Sequence, residues 1–528
     1  MKRRDFISKS TTAAAIPIVL NGMNMNAYGE NSMLQELYTS LVSNDHVLVI
    51  IQMAGGNDGL NTVIPIDQYS KYYNARTNIA VKDTKILTLN GNPGTGFHPA
   101  MTGMRDLYNN GNLCVVHSVG YPTPNFSHFR ATDIWLTASN STEVLSNGWL
   151  GRFLNGEYPG FPSGYPNSSM KDPLGIQFGS GTSLALLGPA VQMGYTISNP
   201  NNIFADNAAG DPTPPTTPAG DKLAYLRQIS TQANKYSVAI QNAYTAGLQN
   251  FVTYPTSNSL ADQLKVIARL INGGLQTKIF IANIGGFDTH AAQTNGGDND
   301  TGTHATLLGR LSSAVKAFHD DLKLMGKDRK VIGMTFSEFG RRIKSNGSVG
   351  TDHGAAAPMF LFGTQVTSGA IGTNPIIPNT ATVSDNVPYQ YDFRSVYWSV
   401  MKRWLCQDDP SMLNVMLRNF QELNVVSDTE CIPLPPGEPL QEQSLVNAYP
   451  NPVISETQIE FKVIQPGHLL IQLVSPQGRV MRNIYENQNA PVGTLRQRIN
   501  LSGMQMGTYY IRYQSNTHTE MKTILKIR

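Results

Sequence analysis

Cysteine is scarce: three residues in 528, Cys114, Cys406 and Cys431, are too few and too scattered for a disulfide framework or a thiolate zinc site. The count leaves room for a single bridge, and Cys114, inside the apolar run "NLCVVHSV", reads as a packing residue. Charge is also sparse, at 15% of residues with a formal net of +3. Nothing resembles the basic, aromatic-interleaved surface that nucleic acid requires, so nucleic acid is excluded as a partner. No apolar run is long enough to cross about 30 Å of hydrocarbon, so no transmembrane segment is expected. What remains is a chain that is 40% hydrophobic, long enough for one large core and at least one further module. The small charge is unevenly placed: from Leu445 onward nine Lys or Arg face four Asp or Glu, a net of +5, which leaves −2 for everything before.

The first residues, "MKRRDFISKSTTAAAIPIVL", set Arg3 and Arg4 ahead of Phe6 and a short, interrupted apolar stretch. That order reads as a signal segment over residues 1–29, with cleavage near Ala27, and resembles a twin-arginine export signal. At the other end, the Pro-rich "CIPLPPGEPLQEQS" marks a linker, residues 426–444. Beyond it come short alternating runs such as "TQIEFKVI", "HLLIQLVS" and "TYYIRYQ", separated by turn formers, as a small all-β sandwich over 445–528 requires. "AYPNP", "LSGMQMGTYYIRY" and the final "MKTILKIR" resemble the type A sorting domain of the type IX secretion system. The resemblance implies export across an outer membrane, to the cell surface or the medium, with export machinery acting at both termini. A plain adhesive β module is the alternative reading.

Residues 45–425 carry a different pattern. "HVLVIIQM", "NLCVVHSVG", "KIFIANIG", "KVIGMTF" and "PMFLFG" are continuous apolar runs, the mark of strands buried on both faces. "SLADQLKVIARLI" puts Leu260, Leu264, Ile267 and Ile271 on one helical face behind a Ser259–Asp262 capping pattern, and "HATLLGRLSSAVKAFHDDLKLMG" repeats Leu307, Leu311, Ala314, Phe318 and Leu322. The alternation predicts an α/β body, a mainly parallel sheet sandwiched by helices. Ligands of such sheets bind beyond the carboxyl ends of the strands.

Acids and histidines gather at those ends. Asp58 follows the first run in "AGGNDGLN", Ser127 and His128 follow the second in "PNFSHF", and Asp288 and His290 follow the third in "GGFDTHAAQ". Glu338 and Arg341 follow the fourth in "SEFGRR", and Asp352 and His353 precede the fifth in "GTDHGAAAP". Converging carboxylates repel unless cations or protons compensate. Carboxylate and imidazole without thiolate suit zinc or manganese, so Asp58, Asp288, His290, Glu338, Asp352 and His353 are expected to share one or two divalent ions. Such ions polarise a phosphoryl or sulfuryl oxygen. Ser127, at a helix start, is the expected nucleophile or anion contact, and Arg341 a bidentate partner for substrate oxygens. Plainer readings stand beside these: Asp58 as a turn former, Ser127 as a helix N-cap, Glu338 and Arg341 as a salt bridge. His98, His117, His304 and His319 are weaker candidates: His304, near Asp298 and Asp300, either joins a site or, as expected first, caps a helix, and His319, beside Phe318, is expected to be solvated.

"RRDF", "GGNDGLNTVIP", "FHPAM", "PNFSHFRATDIW", "GWLGRFL", "GGFDTHAAQ", "SEFGRR" and "GTDHGAAAPMFLFG" together resemble the exported family catalogued as domain of unknown function 1501, over nearly all of residues 1–425. That family is similar in outline to the alkaline phosphatase superfamily, with its sulfatases. The resemblance implies a first-strand Asp ligand, matched by Asp58, a helix-start Ser or Thr nucleophile, matched by Ser127, and an Asp and His a few residues apart, for which Asp288 and His290 stand. Where the superfamily has Asp-His this chain has Glu338 and Phe339, and Asp352 with His353 either replaces that pair or supplies the last His. The spacing of Asp288 and His290 is also tighter than the superfamily usually shows. Two readings follow: an exported metal-dependent hydrolase of small-molecule or glycan phosphate or sulfate esters, or a non-catalytic cell-surface binding protein that keeps the fold. "NIFADNAAGDPTPPTTPAGDK" is either a lid or a surface excursion.

Overall fold

A computed structural model describes residues 16–20, 23–27, 45–197, 235–427 and 446–527, apart from 169, 180, 248, 450, 464–465, 476–478, 492 and 516–518. Arg3, Arg4, Phe6, the segment 202–222, Cys431 and the linker beyond Ser427 lie outside the described residues. One compact unit covers Glu36–Ile432 and a second contains Pro433–Arg528.

All five apolar runs form strands of one nine-stranded sheet. The strands are β1 (Val47–Ala54), β2 (Leu113–Gly120), β3 (Gly175–Phe178), β4 (Gly194–Ile197), β5 (Ile279–Gly285), β6 (Val331–Phe336), β7 (Ala357–Phe362), β8 (Gly369–Ile371) and β9 (Tyr391–Asp392). Their order is β8-β2-β7-β6-β1-β5-β3-β4, with β9 also on β2. The sheet is mixed: β7 runs antiparallel to β6 and β2, and every other pairing is parallel.

The lack of polar alternation in β1 has a direct cause. Val47, Val49, Ile51 and Met53 enter one core cluster, while Leu48 and Ile50 enter another on the opposite face. Helices α1 (Thr102–Asn109), α4 (Ser259–Asn272) and α5 (Thr303–Leu324) cover the first face through Met104, Leu264, Ile267, Leu311 and Phe318. Helices α2 (His128–Thr137), α3 (Trp149–Glu157) and α6 (Phe393–Arg403) cover the second through Trp135, Trp149 and Tyr397. Each large apolar side chain removed from water contributes roughly 1.5–3 kcal/mol. The cap of α4 differs from expectation: Asn258, not Ser259, is the N-cap, its Oδ1 accepting from Ala261 N at 3.3 Å. His319 also differs, because α5 turns it inward to 4% exposure and burial lowers its pKa. His304 does not cap α5 but lies within its first turn, buried, with Nε2 3.1 Å from Asn57 Oδ1.

The C-terminal unit has two antiparallel sheets of three and four strands. They share a core that includes Ile459, Phe461, Ile471, Leu473, Ile511 and Tyr513. Strand Glu456–Val463 alternates buried and less buried residues, as a sandwich strand must.

Candidate metal centre

The strand directions bring the chemistry to one rim. β1, β5, β6 and β2 are parallel, so the segments after Ala54, Gly285, Phe336 and Gly120 leave the sheet at the same edge. β7 is antiparallel, so the residues before Ala357 sit at that edge as well, and His353 arrives from the opposite direction along the chain. The turns touch closely. Gly55, at φ +124°, would bring a Cβ to 2.3 Å from the Asp288 backbone N, and Gly56, at φ +80°, would bring one to 2.3 Å from the Phe339 ring.

His128, Asp288 and His353 meet there, one ligand atom from each lying within 4.8 Å of the others. His128 Nε2 is 3.5 Å from Asp288 Oδ2, and His353 Nε2 is 3.5 Å from Oδ1. Neither Nε2 atom has a hydrogen-bond partner, although both are buried. Each ring is fixed through its other nitrogen. His353 Nδ1 donates to Phe126 O at 2.7 Å, and a carbonyl only accepts, so the proton of that ring is on Nδ1. His128 Nδ1 lies 2.8 Å from Glu338 Oε1, which also accepts from Gly55 N at 2.8 Å. In the neutral rings the lone pairs therefore point from Nε2 toward a carboxylate, acceptor against acceptor. A shared cation relieves that opposition, and two ligands on one tetrahedral ion at about 2.0–2.1 Å stand roughly 3.3 Å apart. The donor set and its spacing fit zinc or manganese.

Electrostatics agree with this. Burial works to raise the Asp288 pKa, but Arg341, through its hydrogen bond and charge, with His290 and His128, brings it down to about 2. Burial lowers the His353 pKa against the pull of its Phe126 bond, which keeps the ring neutral and able to ligate. Phe339 lines the pair, its ring 4.9 Å from His128 and 4.4 Å from His353.

The other expected site residues are placed as follows. His290 Nδ1 is 2.6 Å from Asp288 Oδ1, beside the cluster. Glu338 is 2% exposed and orients His128 rather than facing the shared point. Asp352 is exposed and accepts from Asn346 Nδ2 at 2.9 Å. Asp58 is buried, with both oxygens 2.8 Å from Arg76 Nη1, and does not join the cluster. Arg341 has no exposed side-chain surface and is not a substrate clamp: it donates to Asp288 Oδ1 (2.7 Å), Gly56 O (2.7 Å), Thr351 O (2.7 Å), Phe287 O (3.1 Å) and Gly55 O. It ties the turns of β1 and β5 together, and it forms no bridge with Glu338. Ser127 holds the N-cap position of α2 but makes no side-chain cap bond, so its exposed hydroxyl is not consumed by capping. His128, noted beside Ser127 at the helix start, was not among the expected metal ligands; that adjacency was its signal.

Residues 178–390 match a family described as a protein of unknown function, DUF1501, and residues 447–527 match the secretion system C-terminal sorting domain. The first match contains Asp288, Glu338, Arg341 and His353, and stops short of Ser127 and His128. No curated protein matches the chain. Among solved structures, the chain is similar to a protein in the alkaline phosphatase superfamily from Vibrio parahaemolyticus, at 10% identity and TM-score 0.31 over 100% of this chain and 92% of that one. It is also similar to the PsFucS1 sulfatase from Pseudoalteromonas sp., at 10% identity and TM-score 0.31 over 92% of this chain and 91% of that one.

Proposed function

We propose that this chain, with a DUF1501 match in its body and a type IX sorting domain at its C-terminal end, is an exported metal-dependent hydrolase of phosphate or sulfate esters. The observation that carries the reading is the pair of buried imidazole Nε2 atoms, without hydrogen-bond partners and aimed at Asp288. His128, Asp288 and His353 hold the ion, while Glu338 and the Phe126 carbonyl orient the two rings. A divalent ion bound there neutralises and polarises a phosphoryl or sulfuryl oxygen.

The chain's own groups supply the rest. Ser127 stands one residue before His128, where the amino end of α2 favours an anion, and its hydroxyl is the nucleophile. His290, bonded to Asp288 through Nδ1, has Nε2 to carry a proton. Arg341 acts as a positioning residue, fixing Asp288 Oδ1 while Oδ2 stays turned to His128. Substrates are small-molecule or glycan esters met at the cell surface or in the medium.

The commitment of Asp58 to Arg76 and of Arg341 to backbone carbonyls favours a second reading, a non-catalytic surface binding protein. Hydrolysis of aryl phosphate and aryl sulfate separates the two. The hydrolase loses turnover to a chelator, regains it with zinc or manganese, and drops by about 100-fold or more in Ser127→Ala. A metal-loaded protein inert toward both esters is the binder.

A further inference from the structure

We propose that the guanidinium of Arg76 is a built-in cation standing where a second metal ion would sit on Asp58, so that the rim takes one ion rather than two. The inference rests on reading His128, Asp288 and His353 as a metal centre, and concerns the carboxylate that this centre leaves out.

Asp58 is 1% exposed. Both its oxygens are 2.8 Å from Arg76 Nη1, and Oδ2 is also 2.6 Å from Gln293 Nε2. Arg76 is held from its other sides by oxygens: Asn61 Oδ1 at 3.1 Å from Nη1, Arg342 O at 2.9 Å from Nη2, and Ile343 O at 2.7 Å from Nη2 and 3.1 Å from Nε. Two carboxylate oxygens, a side-chain amide oxygen and two backbone carbonyls are the donor set of a hard cation. In this chain the cation is covalently attached, and a guanidinium does not lose its proton. An ion seeking Asp58 has to displace a group anchored on several sides within a closed pocket.

Asp288 shows the opposite arrangement. Its side chain is 49% exposed, Arg341 and His290 take only Oδ1, and Oδ2 faces the His128 lone pair. The two acids are coupled through Gln293, which holds Asp58 with its amide N–H while its Oε1 accepts from Thr289 Oγ1 at 3.0 Å and Thr351 Oγ1 at 2.8 Å. The loop carrying Asp288 and His290 thus also closes Asp58. One rim carboxylate is open to a metal and the other is neutralised internally.

The test is a metal count on the full chain, stripped with chelator and titrated with zinc and then manganese. Wild type should take up one equivalent. Asp58→Asn should retain it, weakened by no more than about tenfold through the Gln293 link, and His353→Ala should lose it. Two equivalents in wild type, one of them lost in Asp58→Asn and the other in His353→Ala, overturns the inference and leaves the His128–Asp288–His353 centre standing, whereas loss of a single ion in Asp58→Asn overturns both. Zero equivalents in folded wild type overturns that centre and the count of one with it. Should Asp58→Asn fail to fold, the wild-type count decides alone.

Discussion

In the proposed centre, His128 and His353 are placed to ligate only because other atoms turn them. Glu338 fixes His128 from 210 positions away, and the Phe126 carbonyl fixes His353. Removing such an orienting group typically costs 10–100-fold in metal affinity, so Glu338→Ala should weaken zinc binding by about that factor in a calorimetric titration. Asp352→Asn, at an exposed position bonded to Asn346, should leave the affinity unchanged in the same titration. Three other histidines set a pH dependence. Burial is the largest influence on each, and it pushes His98 down to about 3 and His117 and His304 down to about 4. In the unfolded chain they protonate near 6.5, so between about pH 6.5 and 4 the unfolded state binds more protons and stability falls as pH falls. By pH 5 each costs roughly 1–2 kcal/mol, and His304→Gln should flatten the pH dependence of thermal denaturation. The placement of Asp288 and His353 at one rim was legible in the sequence because an Asp and a His sat beside strand ends. The orienting role of Glu338 and the Asp58–Arg76 pair were not, since no periodicity links a turn acid to a ring or a guanidinium elsewhere in the chain.

The five main strands could be read from their apolar runs because burial on both sheet faces leaves no polar alternation. Their direction could not. A continuous apolar run looks the same whichever way it crosses the sheet, and the antiparallel course of β7 is what delivers His353 to the rim ahead of its strand. The caps were readable only to within a residue, as Asn258 shows beside Ser259. Glycine at the end of β1 is a structural requirement of the same kind. Gly55→Ala meets both a positive φ and the Asp288 backbone at 2.3 Å, whereas Gly347→Ala meets nothing within 4 Å. Gly55→Ala should lower both the melting temperature and the zinc affinity, while Gly347→Ala should change neither.

The whole molecule joins an α/β body to a strand-rich sorting domain. The sorting domain directs type IX export to the surface or the medium. The cysteines suit that destination: Cys406 is disulfide-bonded, while burial pushes the Cys114 thiol up to about 12 and leaves it inert. Because the larger compact unit holds every proposed ligand, residues 45–427 produced alone should bind zinc as tightly as the full chain, as read by titration. The most direct measurement is anomalous diffraction at the zinc edge from crystals grown with zinc. The account requires a single peak about 2.0–2.2 Å from Asp288 and from Nε2 of both His128 and His353. No peak at that point, or a peak on Asp58 instead, contradicts it.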